Sequence, residues 1–439
     1  MTDLLAARSQ MGLSLAFHMI FATVGIGMPL LMVIAEGLWL RTGEEVYLTL
    51  AKRWAKGTAI LFAVGAVSGT VLSFELGLLW PGFMEFAGPI IGMPFSLEGF
   101  AFFFEAIFLG IYLYGWNQVG RLAHWLAGVG VMVSGMLSGM FVVTVNAWMN
   151  TPAGFVLDAS GAVVEVDLLA AMMNPSSLGQ VAHMTVAAFL ATGILAAAIH
   201  AWYLLADDRN LFHRRGLAIG LVVAGVGTAI QPATGHLVAH AVAHNQPVKL
   251  AALEGQWETL DGAPFTLGGW PDEEAEVTRY GLEIPKLLSL MAYGDPNHRV
   301  MGLLEVPPDE RPPVLVTHLA YQLMLACMGI LSLTVGVGAA LALARRRLPL
   351  DRPFLWLVVL TGPAGLIGIE AGWTATEVGR QPWVVHGVLR TADAVTPVPG
   401  IFVSFLMFTA LYIVLGVMCA FLLRRQFLHS PTIPVNDGS

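Results

Sequence analysis

The chain has 439 residues, of which 56% are hydrophobic and 12% charged, and its mean hydropathy is +0.71. Soluble domains carry about 25% charged residues, so this composition excludes a water-exposed globular protein, and no nucleic-acid partner is expected. The formal net charge of −8 is nearly all held by residues 245–313, with 12 acidic and 5 basic side chains, so it speaks to the solubility of one segment rather than to partners of the rest.

A helix needs about 20 apolar residues to cross a bilayer. In chain order such stretches fall at roughly 11–40, 54–80, 94–117, 124–149, 180–205, 216–244, 314–344, 353–378 and 399–423. The expected fold is an all-α integral membrane protein of about nine transmembrane helices, one domain over 1–439. The first stretch is too long for a signal-peptide core and lacks a small-x-small cleavage site, so it is expected to stay as a helix. Residues 245–313 form the one long polar interruption, with Pro247, Pro271, Pro285, Pro296, Pro307 and Pro308. Such a loop inside a bundle is usually functional. Cys327 and Cys419 lie in apolar stretches and read as packing residues. No C-x-x-C-H occurs, so covalent haem attachment is not indicated.

Lys and Arg placement sets the expected orientation. With the N-terminus outside, the inner segments hold 14 basic residues and the outer ones 3, leaving aside the long loop, which counts little in the positive-inside rule. The C-terminus is then cytoplasmic and the 245–313 loop external.

Ionisable groups at bilayer depth cost at least a few kcal/mol, so they usually face a cavity, a cofactor or a partner. His18 lies in the first span, where a helix–helix hydrogen bond competes with a ligand role. Glu98 and Glu105 in the third span are seven residues apart and share a face. Two aligned acids favour a proton path over helix–helix bonding, and Glu75 is a weaker case. His183 follows a helix start at Asn174-Pro175-Ser176-Ser177. Met324 lies in the seventh span. His and Met on separate helices can ligate a haem iron, though core packing explains the Met equally well. His236, His240 and His244 form a stripe, read as a wet helix end rather than a metal site because no carboxylate completes a set. The clearest local motif is Gly372-Trp373-Thr374-Ala375-Thr376-Glu377-Val378-Gly379-Arg380-Gln381-Pro382-Trp383. Its arginine can pair with the acid or with a propionate.

On these residues the chain resembles subunit I of the cytochrome bd-type quinol oxidases. The most specific runs are Gly379-Arg380-Gln381-Pro382-Trp383 and Gln246-Pro247-Val248-Lys249-Leu250-Ala251-Ala252-Leu253-Glu254. Support comes from His18, Leu97-Glu98-Gly99 with Glu105, Gly115-Trp116, Asn174-Pro175 before His183, and Ala201-Trp202-Tyr203-Leu204-Leu205.

The resemblance implies a respiratory terminal oxidase of the bacterial cell (inner) membrane. It would oxidise ubiquinol or menaquinol at the outer face. It would reduce O2 to water with cytoplasmic protons, building a gradient without pumping. It implies two haems b and one haem d, or a third haem b in its place. His183 and Met324 match the low-spin haem b ligands, and His18 and Glu377 those of the two high-spin haems. Trp373 and Arg380 match neighbouring cofactor-binding positions. Glu98 and Glu105 match proton-delivering acids, and Lys249 and Glu254 the quinol site. A subunit II is implied as partner, and a small single-span subunit is a further candidate.

Three features depart from parts of the family. The external loop is of the short form. Gln322 stands where some members carry Arg beside the Met ligand, which bears on haem potential or propionate pairing but removes no ligand. The second-span run from Gly69 to Pro81 resembles the cyanide-insensitive branch. The competing readings are a proton-coupled secondary transporter, which leaves His183, Met324 and Glu377 without a role, and a haem-b quinone-reactive anchor, which predicts paired histidines.

Overall fold

The computed structural model describes residues 2–428, 431 and 433. In chain order, helices α1 (Asp3–Thr42), α2 (Glu45–Leu79), α3 (Pro81–Tyr114) and α4 (Arg121–Asn150) come first. A small hairpin of β1 (Phe155–Leu157) and β2 (Val163–Val166) and the short α5 (Leu168–Met172) follow. Then come α6 (Ser177–Leu204) and α7 (Leu211–Asn245). The polar segment holds α8 (Pro247–Glu254), β3 (Leu260–Asp261), β4 (Phe265–Asp272), β5 (Val277–Ile284), α9 (Leu287–Tyr293) and β6 (Arg299–Val300). After it come α10 (Val314–Arg345), α11 (Arg352–Thr361) and α12 (Ala364–Val378). The chain closes with β7 (Trp383–Val385), β8 (Leu389–Arg390), α13 (Thr391–Ala394) and α14 (Ile401–Leu428).

Nine spans among the described residues are long and apolar enough to cross a membrane, as the hydropathy predicts. They run longer than the apolar stretches because polar turns extend them. Helix α1 begins at Asp3, where the Thr2 hydroxyl accepts from the Leu5 N–H, and stops at Gly43, whose left-handed backbone bonds the Trp39 carbonyl. This is ordinary capping chemistry. The eighth span is two helices, α11 and α12, broken at Gly362-Pro363. Proline removes a donor there and crowds the preceding turn.

Helix α1 is central and packs on α2, α4, α6 and α14, while α3 packs on α4, α6 on α7, and α10 on α12. Lipid offers no hydrophobic drive between helices, so close backbone approach matters. At the α6–α7 crossing a Cβ added to Gly220 would stand 2.7 Å from the Gly193 carbonyl oxygen. The outer surface carries exposed Phe74, Phe100, Phe103, Leu360 and Met407, as a face turned to acyl chains or another subunit requires. Cys327 and Cys419 are free and buried, in keeping with packing roles.

The polar segment is ordered rather than loose. Strands β4 and β5 pair antiparallel from Phe265↔Ile284 to Asp272↔Val277. Helix α10 holds this hairpin. The Gln322 side chain donates to the Thr266 carbonyl at 2.8 Å and accepts from the Gly268 N–H at 2.9 Å. The buried His318 ring spans the Leu253 and Gly268 carbonyls at 2.7 and 2.8 Å. Gln322, one of the three departures, is thus a loop-docking residue in this chain. The short strand pairs lie outside the spans and leave the membrane domain all-helical.

Candidate functional site

The Trp373–Trp383 motif forms the end of α12 and the turn after it. Arg380 Nη2 donates to Glu377 Oε2 at 2.6 Å, and Asn146 Nδ2 on α4 donates to the other carboxylate oxygen. One helical turn along α4, Asn150 Nδ2 donates to Asn146 Oδ1 at 3.2 Å. Asn150 in turn accepts from Lys249 Nζ, and Gln246 accepts from the same ammonium at 3.0 Å. A continuous hydrogen-bonded run therefore joins Lys249, Asn150, Asn146, Glu377 and Arg380. It links α8 of the polar segment to the acid expected to ligate iron.

Several polar atoms of this cluster are buried without a protein partner among the described residues. Arg380 is 2% exposed, yet its Nε and Nη1 make no hydrogen bond among the described residues, and neither do Trp373 Nε1 and His386 Nδ1. Buried polar groups are nearly always satisfied. Unfilled guanidinium and indole donors beside a carboxylate suit an anionic group such as a porphyrin propionate. The residues present thus fit a haem at this end of the bundle.

The other candidate ligands lie at helix seams. His18 on α1 has Nδ1 2.9 Å from the Ser68 hydroxyl of α2 and faces Gly69, where a Cβ would stand 3.0 Å from the ring. His183 on α6 lies against α7. Its Nδ1 is 3.3 Å from the Thr234 hydroxyl, and Gln231 Nε2 is 3.1 Å from the same nitrogen. Met324 on α10 sits against Gly372 of α12, with its sulfur 2.8 Å from where a Cβ would be. Helix α12 packs on both α10 and α6, the helices that carry Met324 and His183.

Glu98 and Glu105 face α4, as their spacing predicts. Ser138 donates to Glu98 at 3.2 Å, and Glu105 lies over Gly135. Glu75 is buried on α2 and accepts from Gln10 at 2.9 Å and Ser14 at 3.0 Å of α1. The His236–His240–His244 stripe has the last two rings stacked at 4.1 Å. No group of three or more His, Cys, Asp or Glu among the described residues could hold a metal ion.

Lys249 and Glu254 share α8 but have separate partners, and no ion pair joins them among the described residues. Glu254 accepts from the Thr266 N–H at 3.2 Å, and Tyr321 reaches it from α10. Burial pushes the Glu254 carboxyl up to about 7 against these bonds. Burial also holds the Lys249 ammonium well below the usual lysine range, with the Arg380 charge adding to it and Glu377 opposing. His386 is pulled down to about 4 by burial first, then by Lys249 and Arg380. Burial thus biases Lys249, His386 and Glu254 alike toward their neutral forms, beside the Arg380–Glu377 ion pair.

Residue patterns alone missed Asn146, Asn150, Gln231 and Thr234. Amides at bilayer depth are costly, and Asn146 with Asn150 at helical spacing in the fourth span was the available signal.

The fold is that of a multi-pass membrane protein with acid, imidazole and thioether side chains at its helix seams. The profile for cytochrome bd terminal oxidase subunit I matches residues 6–431, and the chain belongs to that family. It is 36% identical over 438 residues to the "Putative cytochrome bd menaquinol oxidase subunit I" of Bacillus subtilis (strain 168), covering 98% of each chain. It is 29% identical to the cytochrome bd ubiquinol oxidase subunit 1 of the same organism, covering 97% of this chain and 94% of that one. The solved bd oxidase from Geobacillus thermodenitrificans superposes with a TM-score of 0.93 at 38% identity, covering 98% of this chain and 99% of that one. The family is haem-containing, is a bacterial membrane family, and implies a second subunit. Membership decides against the transporter and anchor readings.

Proposed function

We propose that this chain is the haem-bearing subunit of a quinol oxidase in which the 245–313 segment receives quinol at the outer face and O2 is reduced to water inside the bundle. The observation that carries the reading is the hydrogen-bonded run from Lys249 through Asn150 and Asn146 to Glu377 and Arg380. It ties the expected quinol residue to the expected ligand. The orientation rests on the basic residues, with the polar segment outside and the 14-residue basic side in the cytoplasm.

His183 and Met324 would hold a low-spin haem b, and His18 and Glu377 the two high-spin haems, one of type b and one of type d or a third b. Haem supplies one-electron carriers and an iron that binds oxygen. The chain supplies the rest. Glu254, poised near neutrality, accepts a quinol proton, and the neutral tendency of Lys249 lets it accept or donate a hydrogen bond to the head group. Arg380 and Trp373 anchor propionates. Glu98 and Glu105 pass protons inward from the cytoplasmic side. Release outside and uptake inside separate charge without a pump. Partners are subunit II and a small single-span subunit.

The test is the reduced-minus-oxidised absorption spectrum of the purified complex together with quinol-driven oxygen consumption. The expected result is b-type bands, a chlorin band at long wavelength, and oxygen uptake that requires quinol. No haem, or haem without quinol-dependent oxygen uptake, overturns the reading.

A further inference from the structure

Away from the expected ligands, a second buried polar cluster lies at the opposite, basic end of the bundle. Glu36 of α1 is 0% exposed and His124 of α4 is 2% exposed. His124 Nδ1 is 2.7 Å from Glu36 Oε1, and Nε2 is 2.9 Å from the Tyr112 carbonyl of α3. A carbonyl only accepts, so Nε2 carries a hydrogen. The short contact between Nδ1 and Oε1 then requires one proton between the ring and the carboxylate.

Glu36 Oε2 and the Tyr112 hydroxyl are both buried beside this pair, within reach of one another but not in a well-formed hydrogen bond. A purely structural pair is normally fully satisfied, and apolar residues of the same volume would pack as well or better. The cluster also lies in line with the two acids. Tyr112, Glu105 and Glu98 are seven residues apart on α3, hence on one face at steps of about 10.5 Å. That face meets the small residues of α4, with Tyr112 over Gly128, Glu105 over Gly135 and Glu98 on Ser138. Phe108 lies over Gly130 between Tyr112 and Glu105, which makes that step apolar. Toward the aqueous end of these helices the Trp116 ring covers His124 at 3.9 Å, and the exposed Lys52 lies 5.1 Å from the Trp116 ring.

We propose that Glu36, His124 and the Tyr112 hydroxyl form the cytoplasmic mouth of the proton route that continues through Glu105 and Glu98. The pair takes a proton from the aqueous side past Trp116, holds it between imidazole and carboxylate, and hands it on by way of Glu36 Oε2 and Tyr112. A transient water chain past Phe108 completes the transfer to Glu105. No bond other than O–H and N–H changes. The inference rests on the proposed role of Glu98 and Glu105.

The experiment uses the whole purified complex and compares Glu36→Gln, His124→Gln, Tyr112→Phe and Glu105→Gln. Two rates are read: anaerobic reduction of the haems by quinol, and proton uptake during oxygen turnover, followed with a pH dye. Glu36→Gln is expected to keep haem reduction within about two-fold and to slow proton uptake by about ten-fold or more, as Glu105→Gln does. Full proton uptake in Glu36→Gln with Glu105→Gln inactive overturns the mouth and leaves the inner route standing. Full uptake in both overturns the inner route as well. If Glu36→Gln does not assemble, Tyr112→Phe decides, since it removes only the hydroxyl: slowed uptake supports the relay, and unchanged uptake shows a structural pair.

Discussion

Replacing Glu254 with Gln gives a result that can be worked out from the structure. Burial in α8 raises its carboxyl from the ordinary 4.5 to about 7. That shift corresponds to about 3 kcal/mol between the two protonation states. If Glu254 accepts the quinol proton, the rate should follow its ionised fraction, which is about half at pH 7 and about one tenth at pH 6. Quinol-driven oxygen consumption of the parent should therefore rise about five-fold from pH 6 to 7, and about two-fold more before levelling off near pH 8. Glu254→Gln should lose this rising limb and slow by about a hundred-fold or more. The stability consequence has the opposite sense. The folded state holds the extra proton between about 4.5 and 7, so stability from this group is present at low pH and lost as pH rises through that window. Glu254→Gln should remove that decline. A parent profile flat from pH 6 to 8, or a rising limb retained in Glu254→Gln, would refute the reasoning.

His183→Ala is expected to lose the low-spin haem b bands and quinol oxidation together; a full haem complement with normal turnover would show that His183 is not a ligand. Gln322→Ala removes both bonds to β4 and should loosen the hairpin by roughly 1–3 kcal/mol, seen as faster tryptic cleavage at the exposed Arg279 and Lys286. Gly220→Leu would drive a side chain into the Gly193 carbonyl 2.7 Å away and should lower the Tm of the purified complex; an unchanged Tm would mean that the α6–α7 approach is not tight.

The sequence by itself determined the bundle. Nine apolar stretches are legible because a bilayer demands length and hydropathy from each helix separately, with no reference to its neighbours. The helix-three acids were legible for a similar reason: a spacing of seven places them on one face whatever packs there. The motif from Trp373 to Trp383 was legible because Glu377 and Arg380 are near in sequence and meet within one turn.

Contacts between helices were not legible in the same way. Nothing local in Asn146 or Asn150 says that they join Lys249 to Glu377 across 99 and 231 residues of chain. The Glu36–His124 pair, 88 residues apart, shows the same limit, since a carboxylate near a helix end reads as a solvated charge until a second helix covers it. Gln322 reads as a missing arginine until the β4–β5 hairpin lies against it. Hydropathy is a property of one segment against its solvent, whereas a buried hydrogen bond is a property of two segments, and only the tertiary structure decides which two meet. The histidines, methionine and acids in apolar helices were evident from composition and position. The packing adds which hydroxyl, amide or guanidinium each of them faces, and that chemistry distinguishes a ligand from a proton relay.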